Sequence, residues 1–188
     1  MFRTNLQSGA LASKSDNRVA AGRVGCYHEA GNRGTGAGTM DTGIYDDHGI
    51  RFEYPSDWSA EETDDGTVTT VSVQSPSGLA FALVSIDDSR PDPSEIADQA
   101  LGAMRDEYPG LDVSPALETL GSHHAVGHDI EFISLDLTNT CTIRCFRTPR
   151  RTVMVFGQWS DSEGENAELV LRAVRHSLEE TDFETPSP

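Results

Sequence analysis

Lysine is nearly missing from this chain. Lys14 is the single lysine among 188 residues, and the other 13 bases are arginine, set against 31 Asp and Glu for a formal charge of −17. So little positive charge excludes nucleic-acid binding by counterion release, which needs a basic face. Cysteine is scarce as well. Three thiols (Cys26, Cys141 and Cys145) are too few for a disulfide-stapled scaffold. No apolar run approaches the ~18 residues of a membrane-spanning helix. Arg3 is not followed by the roughly 7–15-residue apolar stretch of a signal peptide. These absences predict a soluble, cytoplasmic protein with no membrane span.

The charge is unevenly spread. Residues 1–39 hold five bases and two acids, net +3, so residues 40–188 hold nine bases and 29 acids, net −20. An acidic, lysine-poor surface suits both a high-salt cytoplasm and a GC-rich genome, and bears on solubility and partners rather than fold. Residues 1–43 read as a Gly/Ser-rich tail without hydrophobic periodicity, unable to offset its ordering entropy. Gly34-Thr35-Gly36-Ala37-Gly38 lacks the flanking strand and helix of a phosphate cradle. Met40 is a candidate initiator, which would make 1–39 a misassigned start. Residues 44–182 read as one domain and 183–188 as a frayed end.

Within the domain, Ile50, Phe52 and Tyr54 alternate with Arg51 and Glu53 as a half-buried strand ending at Pro55, and Trp58 follows in a turn. Thr67–Gln74 is a β-branched strand, and Leu79–Ile86 is apolar on both faces, as in a covered central strand. Asp92-Pro93-Ser94-Glu95 opens a helix with an acid cap and an early proline. Its stripe is Ile96, Ala100, Leu101, Met104 and Tyr108, and Pro109-Gly110 stops it. Strands are predicted over 112–119, 125–135, 140–148 and 151–160. The switch of apolar face after Phe132 predicts a bulge or a strand buried on both sides. Ser162-x-x-Glu165 caps a last helix with Ala167, Val170, Leu171, Val174 and Leu178 inward. The order β-β-β-α-β-β-β-β-α, with hairpin-length connections, predicts an α+β domain. It has an antiparallel sheet of about six or seven strands sandwiched between helices.

Several segments carry a resemblance. Phe52-Glu53-Tyr54-Pro55-Ser56-Asp57-Trp58 opens the domain, Ser75-Pro76-Ser77-Gly78 joins two strands, and one long helix follows. A hairpin ends in Val155-Phe156-Gly157-Gln158-Trp159, and a C-terminal helix reaches Ser177-Leu178. Over about 45–182 this resembles the PsbP-like superfamily, which includes a lumenal photosystem II subunit, a Ran-binding import factor and bacterial stand-alone domains. The resemblance implies an antiparallel sheet between helices and partner binding without enzymatic activity. No lumen-targeting segment or Ran-specific residue is matched, so neither role is carried over.

Candidate chemistry is thin. His123, His124 and His128 cluster, but on a strand His124 and His128 lie ~13 Å apart and cannot share one ion. Cys141 and Cys145 have the same spacing, too far for a disulfide. They read as buried small hydrophobes flanking Ile143. Acid pairs at Glu61-Glu62, Asp64-Asp65 and Asp87-Asp88 read as solvated turns. Arg144, Arg147, Arg150 and Arg151 are the one basic concentration, and Arg144 is expected to face outward. Together with an exposed Trp159 they would form an anion or partner site. The competing expectation is neutralisation by Asp129, Glu131 or Asp136 on a neighbouring strand. The leading expectation is a non-catalytic binding or accessory domain for a protein partner or small anionic ligand. Its binding residues would be Arg144, Arg147, Arg151 and Trp159, with no catalytic residue, metal or cofactor. The alternatives are a small hydrolase or thiol enzyme using Cys141 or His128, and a small-ligand carrier.

Overall fold

The computed structural model describes residues 41–164 and 166–181. The expectations for the tail up to residue 40, Met40, Cys26, Glu165 of the capping box and residues 182–188 lie outside them.

Seven strands form one antiparallel sheet: β3 (Ser59–Asp64), β4 (Val68–Gln74), β5 (Ala80–Asp87), β6 (Asp112–Leu120), β7 (His123–Ser134), β8 (Leu137–Arg147) and β9 (Thr152–Ser160). Their order is β3-β4-β5-β9-β8-β7-β6. A second, three-stranded sheet of order β1-β2-β10 holds β1 (Thr42–Asp47), β2 (Ile50–Pro55) and β10 (Glu179–Glu180). Helix α1 (Pro93–Glu107) covers one face of the large sheet. Helix α2 (Ala167–His176) and the small sheet cover the other. This is the α+β sandwich that the element order predicts.

Local chemistry accounts for the elements. Asp92 caps α1 by accepting the Ser94 N–H at 2.9 Å, and Pro93 stands in the first turn, where no N–H is needed. Ala97, Ala100, Leu101 and Met104 face the sheet and pack on Ile130, Cys141, Ile143, Cys145 and Phe156. On the opposite face, Phe52 and Ile50 of the small sheet join Val71, Val73, Val84, Val155, Leu171 and Val174. Tyr45 stacks on Phe52 at 5.1 Å between ring centres. Burying these side chains contributes ~1.5–3 kcal/mol each against exposure.

Three expectations change. The strand at Ile50 belongs to the small sheet, paired with β1, which begins at Thr42. Glu61, Glu62 and Asp64 lie in edge strand β3 rather than in turns, and Asp87 ends β5. No bulge interrupts β7. Its register with β8 runs unbroken to Ser134↔Leu137, and Leu135-Asp136 form a two-residue turn, with φ of 52° and 61°. The apolar switch after Phe132 reflects exposed side chains, not a change of register.

Candidate functional site

Antiparallel pairing sets which side chains meet. Along β8, Cys141, Ile143 and Cys145 face α1, while Thr142 and Arg144 face the side of α2. Arg144 is therefore inward, contrary to the outward expectation, and only 6% exposed. Its Nε donates to Glu118 Oε2 of β6 at 2.7 Å, and its Nη2 donates to Asp129 Oδ1 of β7 at 2.7 Å. Nη1 donates to the carbonyls of His128 (3.1 Å) and Ile143 (2.9 Å). Gly127 makes room at this crossing, since a Cβ there would stand 1.8 Å from the Ile143 carbonyl oxygen.

Glu118 gathers two arginines and a histidine. Besides Arg144 it accepts from Arg175 Nη2 at 3.1 Å and lies 3.0 Å from His176 Nε2, both at the end of α2. Burial pushes its carboxyl up, but the Arg144 hydrogen bond and the Arg175 charge outweigh this and hold it below the ordinary value. The cluster is close to neutral, so Arg144 binds this protein's own carboxylates.

The other proposed binding residues are dispersed. Arg147 is exposed and, by alternation, on the α1 side. Arg151 reaches the small sheet, donating from Nη1 to the His48 carbonyl and lying 3.5 Å from Asp88 and 3.9 Å from Glu180. Trp159 is half-buried against the core and opposite Thr140, four residues from Arg144 along β8, or ~13 Å. The four do not converge. Trp159 is packed rather than presented.

Cys141 and Cys145 face α1 and are both fully buried. Burial raises the Cys141 thiol well above its usual value and pushes Cys145 up to about 12. Neither is a thiolate near neutral pH, so neither is an activated nucleophile. His128 bonds Asp98 of α1 at 2.9 Å, His123 stacks on Phe146 at 5.0 Å, and His124 is exposed. A cleft between α1 and the sheet, lined by Val68, Ser85, Ile96, Ala100, Thr152 and Met154, offers about 50 Å³. That holds a water or two, against the ~300 Å³ or more of a small-molecule site.

Two features lay outside the sequence reading. At the β7–β8 tip, Ile133 is 77% and Leu135 74% exposed. At the opposite end, Asp47, His48 and Glu62 bring one ligand atom each within 4.8 Å of one another. His48 sits in the β1–β2 turn and Glu62 on β3, and no sequence spacing announces their meeting.

An antiparallel sheet between helices, with the Arg144 cluster paired internally, is the framework of an α+β sandwich domain. The solved structures make the fold specific: it is PsbP-like. The cyanobacterial PsbP (CyanoP) of Synechocystis superposes with a TM-score of 0.53 at 12% identity, over 80% of this chain and 98% of that one. A Bacteroides thetaiotaomicron protein superposes with a TM-score of 0.51 at 16% identity, over 74% of this chain. This chain spans 48% of that protein's length. No family model and no curated protein matches the sequence. No helix among the described residues is long and apolar enough to cross a membrane.

Proposed function

We propose that this domain is a non-catalytic accessory module that binds a protein partner through the β7–β8 hairpin tip. The observation that carries this reading is Leu135. It occupies a left-handed position, φ 52°, in a two-residue turn that favours Asn or Gly, and it is 74% exposed. A leucine there serves neither the turn nor the core. Ile133 extends the patch, and exposed Glu131 and Asp136 rim it. The partner is one that inserts an apolar anchor inside a basic surround, as a domain of net −20 favours.

Leu135→Asn separates binding from folding. Asn suits the left-handed backbone, so stability should hold or rise by up to ~1 kcal/mol. Partner retention in affinity capture should fall, and fall further with Ile133→Asp. Equal capture by wild type and the double variant sinks the proposal, as does a substrate screen that finds turnover and no partner.

A further inference from the structure

We propose that Asp47, His48 and Glu62 form a divalent metal site of zinc class, joining the small sheet to the edge of the large one. The three donors come from two elements. Asp47 and His48 lie at the β1–β2 turn, and Glu62 on the facing edge strand β3. Their ligand atoms already lie within 4.8 Å of one another. His48 Nε2 stands 3.0 Å from Glu62 Oε1. An ion at ~2.0–2.2 Å from each, in tetrahedral geometry, needs ~3.4 Å between them. The pair has to open by only a few tenths of an ångström.

The surroundings orient the donors as the outer partners of metal ligands do. Tyr45 donates its hydroxyl to Glu62 Oε2 at 2.9 Å, which fixes the carboxylate and leaves Oε1 turned to His48. Tyr45 is almost fully buried, so its hydroxyl is held in place. Arg151 holds the turn from behind through the His48 carbonyl, and its own charge is met by Asp88 and Glu180. Asp47 accepts the His48 backbone N–H at 2.7 Å, which holds its carboxylate at the turn.

One imidazole and two carboxylates suit a borderline divalent ion better than a hard one, since calcium takes all-oxygen sets. Three protein ligands leave at least one position for water or for a partner's side chain.

The test uses the full chain. Zn²⁺ is titrated in competition with a chromophoric chelator, and Co²⁺ is followed by its visible absorption. One ion per chain is expected at this site. His48→Asn keeps a residue suited to φ 52°, and Glu62→Gln keeps an acceptor for Tyr45, so both variants should retain the wild-type circular dichroism. Each should weaken Zn²⁺ binding at least about tenfold. A Cys26→Ser, His28→Ala variant should leave the binding at this site unchanged. No uptake, or uptake that His48→Asn and Glu62→Gln leave unaltered in folded protein, overturns the proposal.

Discussion

Strands β6 to β8 present two unlike faces from one stretch of chain. Toward α1, alternate residues Ile130, Phe132, Cys141, Ile143 and Cys145 make a hydrocarbon layer. Toward α2, the residues between them include Glu118, Asp129, Thr142 and Arg144, an ionic layer that Arg175 completes. The first face is held by area and packing, the second by stoichiometry of charge. Packing tolerates substitution in proportion to the volume lost. The charge network tolerates little at its buried members, because removing Arg144 leaves part-buried Glu118 short of a partner.

The sharpest way to break this comparison is Arg144→Met. It keeps the bulk and deletes the charge that Glu118 and Asp129 share, and should cost ~3–5 kcal/mol in denaturant unfolding. Adding Glu118→Gln should recover part of that loss, with a coupling of ~0.5–3 kcal/mol. If the single change is nearly free, the ionic face is ornament. Met104→Ala probes the hydrocarbon face. Met104 is fully buried, and the change should cost ~2–5 kcal/mol without altering the pH dependence of stability. The smallest effect is the acid limb. Glu118 is held below the ordinary carboxylate value in the fold, so its contribution is present above the unfolded value of ~4.3. It is lost as pH falls through the lower folded value. Wild type should therefore lose stability more steeply than Arg144→Met below about pH 4.3, and parallel curves would remove Arg144 as the cause.

The helices and most strands were legible because period and punctuation agreed, as at Asp92-Pro93 and Pro109-Gly110. β3 was not, because Glu61 and Glu62 sit on an edge strand, where charged side chains face solvent and imitate a turn. Arg144 shows a limit of local pattern. Alternation placed it opposite Cys145, but only the sheet order reveals that α2 closes that side as well. Asp129 was foreseeable as its neighbour on β7, whereas Glu118 and Arg175 come from β6 and α2, 26 and 31 residues away. The meeting of His48 with Glu62 is of the same kind. A hairpin signal marks the turn, but nothing in the spacing says that β3 will lie across it.

The small sheet has a further consequence for the order in which the molecule can assemble. β2 pairs with β1 directly, but its other edge waits for β10, at Glu179–Glu180. The Glu53 N–H is met by the Ser177 hydroxyl, 124 residues away. A ribosome therefore releases Ile50, Phe52 and Tyr54 early and completes their cover late. Until α2 and β10 are made, that hairpin lacks part of its cover and keeps one strand edge unpaired.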